Sequence, residues 1–176
     1  MLARAGYDFK VKPAAVDEWP PGKYPFRELC LANAALKAGE VSVQYPEAVV
    51  LGADTLVGLG GEIMGKPCDA EEAMCMLERL SGRVHEVCTG VCIRCGTGER
   101  MFSEVTRVWF RKFGKNVIKD YMERVNVMDK AGAYAIQEEG EMLVDKLEGC
   151  LDNVVGLPVA QVAGELERFG VLPCRA

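Results

Sequence analysis

Residues 47–67 read EAVVLGADTLVGLGGEIMGKP, and this stretch decides the fold. Glu47 to Ala53 is a short apolar run of the kind that forms a buried strand, and Asp54 stands at its end. Thr55–Val57 and Glu62–Met64 flank the glycine-rich Gly58-Leu59-Gly60-Gly61, a spacing that predicts a hairpin. Lys66-Pro67 closes the stretch, and the proline holds Lys66 extended.

Upstream, Pro20, Pro21, Gly22 and Pro25 mark a loop. From Phe26 to about Glu40, the apolar residues Phe26, Leu29, Leu31, Ala32 and Leu36 suit a helix with one buried face. Downstream, Asp69 followed by Glu72 is a capping signal for a helix with the stripe Ala73, Met76, Leu77 and Leu80, and Gly82 is its stop. Strands follow at about Val84–Arg94 and Phe102–Arg111, then a helix over Lys115–Val125 and a last helix with Pro158 in its first turn. Helices interleaved with strands and hairpins predict a mixed sheet in one α/β domain spanning residues 1–176.

A chain of 176 residues is long enough to bury a real core. Its net charge of -5 argues against binding a nucleic acid polymer, which needs a basic footprint. A small anionic substrate remains compatible, because a few focused lysines can hold one in an acidic protein. No window approaches the roughly 20 apolar residues of a membrane span, and the start MLARAGY lacks the apolar core of a signal peptide. The expected setting is the cytoplasm, without a membrane partner. The eight cysteines then read as reduced and structural. Cys92 and Cys95 lie three apart on an expected strand, so their side chains point to opposite faces and do not chelate zinc without a bulge.

Several residues are candidates for chemistry. Asp54, at the end of an apolar strand, suits a base or a cation ligand, although a turn aspartate bonding its own backbone is the commoner case. Thr55 beside it has the same ambiguity. Lys66 suits a phosphate, and Lys37, late in the first helix, does too; a solvated lysine and a helix-dipole partner are the ordinary alternatives. Asp17-Glu18 can offer oxygen ligands to a divalent metal or form a plain acidic loop. In DKAGAYAIQ (129–137) small residues allow close backbone approach, while Gln137 both donates and accepts, as reading a base edge requires. NVVGLP (153–158) brings a glycine and a proline to a helix entry. No P-loop or dinucleotide-binding glycine pattern occurs.

Taken in order, LGADT (51–55), GKP (65–67), SGRVHEVCTGV (81–91), DKAGAYAIQ and NVVGLP resemble the Maf-like nucleotide pyrophosphatase family. The resemblance implies a two-lobed, Maf/inosine-triphosphatase-like α/β fold with a long mixed sheet flanked by helices and a central nucleotide cleft. It implies hydrolysis of a nucleoside triphosphate, dTTP or UTP or a modified pyrimidine nucleotide, to the monophosphate and pyrophosphate, with a divalent metal, Mg or Mn. Asp54 falls on the family's proton acceptor, Glu18 and Lys37 on catalytic positions, and Lys66 on a phosphate-contacting position. Thr55 and Gln137 fall on positions linked to substrate choice, and Asp54 and Glu18 are the implied metal ligands. Lys66 with Gln137 looks more like the dTTP/UTP branch than the 7-methyl-GTP branch.

Family members open with a strand and an S-x-S-P-R-R loop that holds the phosphates, whereas this sequence starts at MLARAGYDF, where the helix after that loop is expected to end. The expectation is a domain truncated at its N-terminus relative to the family, through an internal start or a real loss of part of the site. An inosine-triphosphate pyrophosphatase type and a non-catalytic nucleotide-binding regulator of division stand as alternatives, and ADT with AIQ speaks against the former. A homodimer is the base-rate expectation for a small cytoplasmic enzyme. His85, the only histidine, carries no assigned role.

Overall fold

The computed structural model describes residues 1–22 and 24–174. Its centre is β1 (Val50–Leu59), which runs unbroken through Asp54 instead of ending there. The reason is its neighbour. β3 (Val84–Cys95) pairs antiparallel with β1 from Val50 opposite Arg94 to Gly58 opposite Glu86, so the ladder carries the strand past the carboxylate. β2 (Glu62–Met64) folds back through Gly60 and Gly61, both at positive φ as a tight hairpin requires, and meets β1 only at Val57–Leu59.

β4 (Gly98–Phe110) and β5 (Val144–Glu148) complete a five-stranded sheet in the order β2-β1-β3-β4-β5. The α/β class holds, but each of these pairings is antiparallel, where a mixed sheet was expected. The helix α2 (Ala70–Leu80) joins β2 to β3, which run in the same direction, and β1 is inserted between them. Alternation of helix and strand along the chain therefore does not yield adjacent parallel strands here. The Asp69 carboxylate caps α2 by accepting the Glu72 N–H at 2.7 Å, and the Glu72 carboxylate accepts the Cys68 N–H at 2.7 Å. Its expected stripe, Ala73, Met76, Leu77 and Leu80, is buried.

The helix α1 (Phe26–Gln44), one turn longer than expected, lies across the face of β1 that carries Gly52 and Asp54. A Cβ on Gly52 would fall 2.4 Å from the Ala34 carbonyl oxygen, and one on Gly90 would fall 2.5 Å from the Cys30 carbonyl oxygen. Glycine at these two positions is what lets the helix backbone reach the strand backbone.

The opposite face carries two apolar clusters. One gathers Val57, Leu59, Val87 and Val108 with α2 and α3 (Lys115–Arg124). The other gathers Leu51, Ala53, Val91 and Ile93 with α5 (Val159–Arg168) and Tyr7. Between them runs a polar seam. Thr55 Oγ1 lies 2.9 Å from Thr89 Oγ1, Thr89 donates its N–H to Asn153 Oδ1 at 3.1 Å, and Asn153 Nδ2 donates to Thr106 Oγ1 at 2.9 Å. Thr89, Thr106 and Asn153 are all fully buried, so the low dielectric makes these bonds costly to break. They pin α4 (Leu151–Val155) to the sheet between the two apolar clusters. Among the described residues no helix is long and apolar enough to cross a membrane.

Candidate active site

Asp54 points from β1 toward α1 and is 8% exposed. Two residues one helical turn apart on α1 meet its two oxygens: Lys37 Nζ lies 2.7 Å from Oδ1, and Asn33 Nδ2 donates to Oδ2 at 3.4 Å. Lys37 also pairs with Glu18 Oε1 at 2.9 Å, so one ammonium joins the two carboxylates. Burial opposes the charge on Lys37, but hydrogen bonds to Asp54 and Glu18 outweigh it and hold the ammonium above its ordinary value. Lys37 is therefore charged at neutral pH.

Thr55, the next residue, leaves β1 on the other face and enters the polar seam. On its β2 side the strand is paired only from Val57 onward, so the edge at Asp54 and Thr55 opens into a cavity of about 290 Å³. Lys37, Asp54, Thr55, Lys66 and Gln137 all line it. Five of the six residues singled out from the sequence thus share one cleft, and Glu18 reaches it through Lys37. Lys66 and Gln137 stand exposed at the rim. Asp17, by contrast, is exposed and lies outside this cluster. The turn Ala131–Ala133 is tied to the Lys66 loop by the Gly132 N–H, which donates to the Gly65 carbonyl at 3.0 Å.

His85 sits behind the cleft wall. It is 2% exposed, its Nε2 lies 2.8 Å from the hydroxyl of Tyr134, and its ring meets Phe110 edge-on at 4.7 Å. Burial lowers its pKa to about 4, so it is neutral at pH 7 and props Tyr134 against the cavity. A larger cavity of about 630 Å³ opens by the β1–β2 hairpin beside Phe26, Arg83 and Glu86, and it holds none of the six residues.

Sequence reasoning missed Asn33 and Trp19, and it held Thr89 and Asn153 only as parts of longer motifs without a role of their own. Asn33 had one legible signal, since it lies four residues before Lys37 on the same helix. Nothing local marks the Trp19 main-chain N–H, which donates to Asn33 Oδ1 at 2.8 Å across fourteen residues.

One ammonium joining two carboxylates at the lip of an open cleft, with a second lysine at its rim, defines a class: a small-ligand α/β protein equipped for phosphate chemistry. Comparison with known proteins supplies the particular family. The chain belongs to the family described as Maf-like protein, whose model matches residues 1–169. It is 46% identical over 170 residues to a dTTP/UTP pyrophosphatase of Akkermansia muciniphila, covering 97% of this chain and 90% of the relative. It is 45% identical over 177 residues to one of Myxococcus xanthus, covering 100% and 90%, and 44% identical over 164 residues to one of Carboxydothermus hydrogenoformans, covering 92% and 88%.

Proposed function

We propose that this protein is a nucleoside triphosphate pyrophosphatase acting on dTTP and UTP, or on modified pyrimidine nucleotides, to yield the monophosphate and pyrophosphate. The observation that carries the reading is the Lys37 ammonium bridging Asp54 and Glu18 at the mouth of a cleft shared with Lys66, Thr55 and Gln137. The names of the relatives point the same way.

In this reading a water attacks the α-phosphorus, the bond from that phosphorus to the α,β-bridging oxygen breaks, and pyrophosphate leaves. Asp54 takes the proton from the attacking water. Its orientation is held by α1, so little reorganisation is needed as the proton moves. Lys37 and Lys66 place positive charge against the bridging and non-bridging oxygens, where charge develops. Thr55 and Gln137 meet the base, Gln137 by donating and accepting in one plane.

Asp54 and Glu18 fit a divalent cation. Both are hard oxygen donors, and they converge on one point, the Lys37 ammonium. Among the described residues no group of three or more His, Cys, Asp or Glu side chains forms a protein-only cage. Two carboxylates of this kind would suit a hard divalent cation such as Mg or Mn that is also held by its substrate. When bound, the cation supplies positive charge to those oxygens. Lys37 occupies the point these two carboxylates share, so a cation bound there would displace the ammonium toward the phosphates.

Pyrophosphate release over dTTP, UTP, CTP and 7-methyl-GTP, with magnesium or manganese, tests the proposal. Release from dTTP and UTP should exceed that from the other two by about tenfold or more. Preference for 7-methyl-GTP would overturn the substrate assignment, and binding without release would overturn the enzymatic one.

A further inference from the structure

We propose that Asn33 is a positioning residue that locks the Asp54 carboxylate and the Glu18 loop into one unit; its kinetic readout rests on the pyrophosphatase reading. Asn33 is 2% exposed, so its amide has to find partners within the protein. A main-chain N–H only donates, so the bond from Trp19 at 2.8 Å fixes which side-chain atom is oxygen. That leaves Nδ2 facing Asp54 Oδ2 at 3.4 Å.

Lys37 repeats the pattern one turn later, joining Glu18 at 2.9 Å to Asp54 Oδ1 at 2.7 Å. Two rungs from one helix face thus connect the same loop, Glu18-Trp19, to the same carboxylate. The rungs differ in charge. Lys37 carries a full charge, so it neutralises the carboxylate and would be drawn to an anionic ligand. The Asn33 amide is neutral, so it fixes the side-chain direction without competing for an incoming cation's charge. With Lys37 drawn to a phosphate, as the proposed function requires, Asn33 would remain as the tie that keeps Asp54 aimed and the Glu18 loop docked. The loop is held further along by Trp19, whose ring packs on Tyr24 at 4.4 Å.

Asn33→Asp and Asn33→Leu separate the two bonds. The aspartate keeps an acceptor for the Trp19 N–H and replaces the amide donor with a carboxylate that opposes the charge on Asp54, while leucine loses both bonds. Trp19 and Trp109 are the two tryptophans, so a Trp109→Phe background makes acrylamide quenching report Trp19 alone. The expected result is quenching that rises in Asn33→Leu and stays unchanged in Asn33→Asp. Both variants should lose about tenfold or more in kcat for dTTP while KM changes by less than about threefold. Asn33→Leu with unchanged quenching and unchanged kcat would overturn the proposal and make Asn33 a plain packing residue. A parent protein that releases no pyrophosphate would sink the pyrophosphatase reading instead, and quenching would still decide the clamp.

Discussion

Asp54 and Thr55 are consecutive in β1 and leave it on opposite faces, Asp54 to the Lys37 ammonium at 2.7 Å and Thr55 to the Thr89 hydroxyl at 2.9 Å. The period of two that every strand imposes divides one dipeptide between two tasks. The ammonium and the paired carboxylates lie on the α1 side, and the polar seam between the two apolar clusters lies on the other. A ligand that touches both has to wrap the open edge of β1.

Substitutions in that dipeptide should therefore separate chemistry from selection. Asp54→Ala is expected to lower kcat for dTTP by about a thousandfold, with its circular dichroism unchanged. Thr55→Val keeps the shape and removes the hydroxyl, so kcat on dTTP should stay within about threefold while discrimination against CTP changes by about tenfold. Near-normal pyrophosphate release by Asp54→Ala would remove it from the catalytic role.

Lys37→Met should cost stability as well as turnover. It leaves the largely buried Asp54 with the 3.4 Å bond to Asn33 as its side-chain tie. The expected loss is about 1–3 kcal/mol in urea unfolding at pH 7. Because the folded Lys37 is held above its ordinary value of 10.5, its contribution is complete below pH 10.5 and is lost as pH rises beyond that. The parent and the variant should converge in stability only at strongly alkaline pH.

Gly90→Ala tests the contact that brings α1 to the sheet. The new Cβ would lie 2.5 Å from the Cys30 carbonyl oxygen, a backbone atom with no rotamer to change. A loss of about 2 kcal/mol is expected, together with reduced turnover, since the displaced helix carries Asn33 and Lys37. Gly164→Ala on α5, where a Cβ meets nothing within 4 Å, should instead stabilise by up to about 1 kcal/mol. Equal melting temperatures for the two variants would contradict this account.

His85 makes the protein acid-sensitive. Its folded pKa is lowered to about 4 from 6.5, so the unfolded chain takes up the proton first. Stability is full above pH 6.5 and falls as pH drops toward 4, by roughly 2–3 kcal/mol between pH 7.5 and 4.5. His85→Gln should flatten that part of the urea-unfolding profile. An unchanged slope would show that the loss comes from other groups.

Much of the fold was legible along the chain because its signals are local. The stripe of α2 and the Asp69 cap follow from side chains a turn apart, and the β1–β2 hairpin follows from glycines that must adopt positive φ. The mixed sheet was not, because strand order depends on which strand inserts beside β1, a choice made by pairing between residues as far apart as Val50 and Arg94. The end of the strand at Asp54 was misread for the same reason: a carboxylate interrupts an apolar run but not a ladder that β3 supplies.

The ordered motifs that mark the family were readable in the sequence, as were Asp54, Glu18, Lys37, Lys66, Thr55 and Gln137 as candidates for its site. Side-chain type and spacing along the chain are enough for that. Only the tertiary structure decided that Lys37 joins two carboxylates, that Asn33 ties one of them to the Trp19 backbone, and that Asp54 and Thr55 serve opposite faces of one open edge. Those relations depend on a helix lying against Gly52 and Gly90, and a contact between backbones leaves no trace in the order of side chains except the absence of two.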